Sequence, residues 1–172
     1  LDIYAEEVEG LLAIPVFKGE KTPSERFAGA ERTYSIEAMM QDTKCVQAGT
    51  SHYMGTKFAE AFDIRYLNPD NEHVLAYTTS WGVSTRLIGA MIMVHSDDQG
   101  LVLPPRMAPQ QVVMIPVGPW QKNPEIMETL EKINAELRQR GFRTVIDDSD
   151  NRPGFKFNEW ELRGAPLLSL IH

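Results

Sequence analysis

Apolar residues at Leu1, Tyr4, Ala5, Val8, Leu11 and Leu12 recur at helical spacing, with Asp2, Glu6, Glu7 and Glu9 mainly on the other side. The chain therefore opens on an amphipathic helix. Ala13–Phe17 predicts a short strand, its Pro15 suiting an edge or a strand end. Residues 18–29 read as a polar loop carrying Lys18, Lys21 and Arg26. Solvated charge is the first reading of that loop, and contact with an acidic ligand or an RNA backbone the second. Residues 33–40 and 44–52 predict antiparallel strands joined by a turn at Gln41-Asp42-Thr43. Strict alternation puts Thr50 and His52 on one face and Gln47 on the other. A bulge, for which Gly49 is the natural place, would bring all three together.

Further along, residues 54–62 predict a short helix turning Phe58, Ala61 and Phe62 inward. Residues 64–67 and 74–80 predict strands on either side of the turn-forming Asn68-Pro69-Asp70-Asn71. Residues 84–95 form the most apolar helical stretch. Leu87, Ile88, Met91, Ile92 and Val94 surround much of its circumference, so it is expected to be core. Residues 103–109 hold three prolines in seven positions and predict a stiff linker between domains. A separate α/β unit follows. Residues 111–116 predict a buried strand. Asn123 caps a helix with Pro124 at its first position, and Gly141 closes it. Ile126, Met127, Leu130, Ile133 and Leu137 give that helix one apolar stripe, and residues 142–146 form the return strand of a parallel crossover. After a polar turn over 147–154, residues 155–162 mix aromatic and charged side chains, and 166–171 predict a last strand.

Composition changes this picture little. At 172 residues with 42% hydrophobic and 24% charged side chains, the chain has the make-up of a soluble globular protein of one or two domains. A net charge of −7 excludes a basic coat for nucleic acid, though not a local patch. The single cysteine, Cys45, allows no internal disulfide and favours a reducing, cytoplasmic setting. No apolar run reaches membrane-spanning length. His95 with Asp97 and Asp98 invites a metal site, but a helix end followed by a polar loop explains them better.

Candidate chemistry gathers in two stretches, Gln47–Gly55 (QAGTSHYMG) and Trp81–Gly89 (WGVSTRLIG). Arg86 falls in the first turn of the apolar helix, where the partial positive charge of the helix end already favours anions. A guanidinium beside free backbone N–H groups can cradle phosphate. Taken alone, Arg86 reads as a surface arginine paired with a carboxylate. His52 alone reads as a hydrogen-bonded core histidine, Gln47 and Thr50 as ordinary strand residues, Trp81 as core, and Glu37 as paired structure.

Together, KTPSERFAGA, QAGTSHYMG, the run SWGVSTRLIGAMIMVHSDDQGLVLPPRMAP and the run PGFKFNEWELRGAP resemble prolyl-tRNA synthetases of the archaeal and eukaryotic-like type, in matching order across nearly the whole chain. The resemblance implies a class II aminoacyl-tRNA synthetase that joins L-proline to its tRNA through a prolyl-adenylate, using ATP and Mg2+, in the cytoplasm and as a homodimer. The implied fold is α/β (α+β): part of a class II antiparallel sheet over residues 1–105, then part of a mixed-sheet α/β anticodon-binding domain over 106–172. By the same resemblance Gln47, Thr50, Ser84 and Arg86 contact ATP, with Arg86 on the γ-phosphate and Gln47 also near magnesium. His52 and Trp81 line the proline pocket. Lys156, Phe157 and Glu161 face the anticodon, meeting a phosphate, stacking on a nucleotide and reading a base edge respectively. An aromatic cluster packing on the sheet explains Phe157 and Trp160 equally well.

The chain departs from the family pattern where relatives usually have an arginine, which is Leu168 here, so a base-reading fork is lost. Family motifs 1 and 2 have no counterpart in these residues. The expectation is therefore a partial chain, holding the later part of a catalytic domain and the earlier part of an anticodon domain, which does not charge tRNA by itself. The competing reading is a non-catalytic synthetase-like remnant or paralogue that binds RNA or a protein partner. A sister class II enzyme for another small amino acid would share Arg86 but lack the FAGA and GTSH combination.

Overall fold

A computed structural model describes residues 1–171. They form two compact units, dividing after Ala90. In the first, helix α1 (Asp2–Leu11) buries Ala5 and Val8, as its stripe requires. Strand β1 (Val16–Glu20) starts later than expected and runs into the stretch read as loop. The basic residues there are satisfied locally. Lys18 pairs with Asp2 at 2.8 Å, Lys21 with Glu37 at 3.6 Å, and Arg26 donates to the Glu31 carbonyl at 2.8 Å.

Strands β2 (Arg32–Met39) and β3 (Cys45–Gly55) pair antiparallel across the expected turn. There Thr43 adopts φ 67 and the Asp42 carboxylate accepts from the Lys44 amide. Because β3 continues to Gly55, helix α2 is confined to Lys57–Phe62 and its inward face is rotated from the expected one. Ala59 is buried, whereas Ala61 and Phe62 point to solvent. The single strand expected over 74–80 is two. β5 (His73–Leu75) pairs with β4 (Arg65–Leu67) in a small sheet, and β6 (Thr78–Gly82) joins β3. The larger sheet is antiparallel in the order β1-β2-β3-β6.

Helix α3 (Arg86–His95) corrects a second expectation. Ala90 and Met91 are buried, but Ile88, Ile92 and Met93 are 56%, 41% and 49% exposed. Apolar periodicity reports what a helix is able to bury, not what covers it.

In the second unit the proline-rich stretch is not a free linker. Pro104 and Ala108 are buried, and Arg143 donates to the carbonyls of Arg106 (2.7 Å) and Ala108 (2.8 Å). Strand β7 (Val112–Pro116) is buried at every position because it is central, with β8 (Thr144–Ile146) and β9 (Leu167–Ile171) parallel to it on either side. A strand covered on both faces reads as a continuous apolar run, as this one does. Helix α4 (Pro124–Gln139) starts where the Asn123 side chain accepts from the Glu125 amide. It seats Leu130 against Val112 and Met114, flanked by Ile126, Met127, Ile133 and Leu137. Helix α5 (Pro153–Leu162) then leads to β9. Among the described residues no helix is long and apolar enough to cross a membrane.

Candidate active site

The register between β2 and β3 builds the site. Glu37 faces Gln47, but the next pair is Ile36 with Gly49, followed by Ser35 with Thr50 and Thr33 with His52. Ala48 is the extra residue of a β-bulge. Cross-strand partners share a face, and Thr33, Ser35 and Glu37 alternate onto one face of β2. Gln47, Thr50 and His52 therefore share that face too. The slip falls one residue before Gly49 because Gly49 is needed on the other face. A Cβ there would lie 3.2 Å from both Tyr4 Cδ2 and Val83 Cγ1, so a larger residue would have to push those side chains back by a few tenths of an ångström.

On the open face, Gln47, Thr50 and His52 line a cavity of about 180 Å3 with Lys21, Glu25, Phe27 and Thr33. That is below the ~300 Å3 at which drug-sized ligand sites begin. Ser35 donates to Glu37 at 2.8 Å, and Glu37 in turn pairs with Lys21. The Phe27 ring lies 4.9 Å from the His52 ring, and the Phe27 amide donates to Thr33 Oγ1, which is 3.0 Å from His52 Nδ1. Burial holds the His52 imidazole below its usual value.

The folded state thus binds fewer protons at His52 than the unfolded chain. Its contribution to stability is complete above the ordinary imidazole value of about 6.5 and is lost as pH falls toward the depressed value. A His52→Gln variant is expected to show a shallower loss of stability as pH falls below ~6.5, measured by urea unfolding at a series of pH values. An unchanged slope would contradict the assignment.

Arg86 begins α3 beside this strand. Its Nη1 donates to the Gln47 carbonyl at 3.3 Å and its amide to Ser84 Oγ at 3.3 Å. The guanidinium is exposed and forms no ion pair among the described residues. Arg86 reaches Gln47 and Ser84 accepts from the Arg86 amide, and neither lines the small cavity.

Trp81 is not brought to the cavity. It pairs with Ser51, while Gly82 and Ser80 pair with Thr50 and His52, so the alternation of β6 turns the indole to the opposite face, where it is 70% exposed. The expectation that Trp81 walls the pocket with His52 is corrected on that ground. Thr33, Phe27 and Glu25 line the cavity without having been singled out by pattern, and Lys21, read first as solvated charge, lines it too. Thr33 was legible only from the register, which needs the bulge placed first.

In the second unit the three residues expected to face RNA are separated. Lys156 is 2% exposed, donates to the Asp147 carbonyl at 2.8 Å and sits 3.7 Å from its carboxylate. An ammonium held inside by its own partners is not available to a phosphate, so that expectation is corrected. Asp147 also accepts from Trp160 Nε1 (2.8 Å) and Ser149 Oγ (2.7 Å). Burial alone would raise the Asp147 carboxyl, but the bonds from Ser149 and Trp160, with Lys156 nearby, outweigh it and hold the group below its usual range. Phe157 is half-buried and Glu161 exposed, one turn apart on α5. Glu161 borders a different cavity, of about 340 Å3, with Asp97, Gly100, Gly164 and Pro166 among its lining.

Residues 111–171 match the family described as anticodon binding domain. Nearly all of the chain is similar to curated proteins named proline–tRNA ligase. The one from Symbiobacterium thermophilum is 56% identical over 97% of this chain and 34% of its own length. That from Deinococcus radiodurans is 52% identical over the same shares, and that from Roseiflexus sp. (strain RS-1) 56% identical over 96% and 35%. Both compact units are thus covered by one kind of relative, and the chain is a member of the proline–tRNA ligase family that spans about a third of the length of the relatives it matches.

Proposed function

We propose that these residues serve ATP-dependent ligation of L-proline to its tRNA, through a prolyl-adenylate, in the cytoplasm. Residues 1–105 take part in adenylate formation and 106–172 in holding the anticodon end of the tRNA. The observation that carries the reading is the bulged strand. It sets Gln47, Thr50 and His52 around one small cavity, with the unpaired guanidinium of Arg86 hydrogen-bonded to the same strand.

The donor set fits ATP. A guanidinium at a helix start and the hydroxyls of Thr50 and Ser84 are groups that bind phosphate oxygens. The fit to Mg2+ is narrower. Among the described residues no cluster of acidic, His or Cys ligands is present, and the Gln47 amide oxygen is a single neutral donor. Mg2+ commonly keeps several waters and takes one or two protein groups plus substrate phosphates. Gln47 therefore fits as a supporting ligand to an ion carried in with the nucleotide.

Bound ATP supplies the α-phosphorus that the proline carboxylate attacks, with pyrophosphate leaving. The chain's part is positional. The cavity beside His52 and Phe27 holds the small amino acid. Arg86 fixes the polyphosphate and offsets its charge, and Thr50 spans the two. No protein nucleophile or general base is required, because the attacking carboxylate is already ionised and alignment supplies most of the rate. Of the three α5 residues expected at the anticodon, half-buried Phe157 and exposed Glu161 are the two left to meet a base. The family's homodimer is proposed here as well.

The test is a chimera in which residues 1–172 replace the corresponding third of the Symbiobacterium thermophilum relative. Proline-dependent exchange of pyrophosphate into ATP is the expected result. A folded chimera with no proline-dependent exchange would sink the reading and favour a non-catalytic relative that binds RNA or a protein.

A further inference from the structure

The hydroxyl of Thr33 has two neighbours and one proton. Its side chain is 1% exposed, so solvent supplies no partner. Oγ1 accepts from the Phe27 amide at 3.1 Å, and His52 Nδ1 lies at 3.0 Å. No third partner for Oγ1 exists among the described residues. If His52 carried its proton on Nδ1, that proton and the Phe27 N–H would both point at Oγ1. The Thr33 proton would then be buried without an acceptor, a costly arrangement. If Nδ1 is bare, every group is satisfied: Phe27 N–H donates to Thr33, and Thr33 O–H donates to Nδ1.

We propose that Thr33 is a positioning residue that holds His52 in the tautomer protonated at Nε2, so that His52 meets its ligand as a hydrogen-bond donor. Burial keeps the ring neutral, so Nε2–H is its one N–H. Nε2 has no protein partner among the described residues, and His52 lines the cavity. The Phe27 ring, 4.9 Å away, limits the ring's rotation. The atom that His52 recognises is accordingly an acceptor, of the class of a carboxylate or carbonyl oxygen, and not a cationic nitrogen. Placing that oxygen on a bound proline or its adenylate rests on the function proposed above; the tautomer itself does not.

Side-chain nitrogen correlation spectra of the 15N-labelled chain, at pH about 8 and thus above the ordinary imidazole value, test it directly. The His52 signals are assigned by their loss in His52→Gln. The expected spectrum has a bare Nδ1 and a protonated Nε2. Thr33→Ser should keep that pattern, and Thr33→Val, which removes the hydroxyl at nearly constant volume, should abolish the single-tautomer preference. A protonated Nδ1 in the parent chain, or an unchanged pattern in a folded Thr33→Val, would overturn the proposal. Should Thr33→Val not fold, the parent spectrum still decides. No substrate is involved, so this result and the exchange assay fail independently.

Discussion

Replacing Arg86 by alanine in the exchange-competent chimera should lower proline-dependent pyrophosphate exchange by about 100-fold or more, the scale of losing one preorganised donor to developing charge. The guanidinium forms no carboxylate pair among the described residues, and its one side-chain bond goes to a backbone carbonyl, so structure alone gives the charge little employment. Arg86→Lys should recover only part of the loss, since an ammonium cannot reproduce the fork. Thermal unfolding should barely move, because the side chain is exposed. An Arg86→Ala chimera with undiminished exchange would remove Arg86 from the mechanism.

Asp147→Ala is expected to destabilise the second unit by about 3 kcal/mol, the range for stripping the partner from a buried charge. The variant leaves the Lys156 ammonium buried with the Asp147 carbonyl and the face of the Trp120 ring 5.9 Å away but no anionic partner, and strips Trp160 Nε1 of its acceptor. Lys156→Met should cost less, about 1 kcal/mol or under, since the carboxylate keeps Ser149 and Trp160 while an apolar chain fills the same space. Urea unfolding of the two variants, followed by amide protection in β7, checks both the size and the order. Because the folded carboxyl titrates below its usual range, its contribution is present above an unfolded value of ~3.9 and is lost as pH falls through the depressed folded value. A Lys156→Met change costing more than Asp147→Ala would contradict this account.

Local signals with one dominant cause were legible in the sequence. Helix α4 follows its Asn123 cap and its apolar stripe almost to the residue, because capping and burial there agree. The gathering of Gln47, Thr50 and His52 was also legible, since only a bulge reconciles three polar residues of one strand with one ligand. The slip itself falls at Ala48, because the packing of Tyr4 and Val83 against Gly49 is a tertiary fact invisible in the strand. Trp81 was misread for the same reason: its face depends on the pairing partner, and Ser51 rather than His52 is opposite. Lys156 looked like a surface cation because nothing in its neighbours announces Asp147, nine residues earlier, as a buried acceptor. The Leu103–Pro109 stretch looked like a linker until Arg143, from the start of the return strand, bound its carbonyls.

Where proline and the triphosphate sit is the most direct check on the site built around the bulge. A crystal structure of the chimera with ATP and a non-reactive proline analogue should place the analogue against His52 and Phe27 and the triphosphate within hydrogen-bond reach of Arg86. Ligands seated on the Trp81 face of the sheet, or Arg86 turned to a carboxylate with both ligands bound elsewhere, would contradict it.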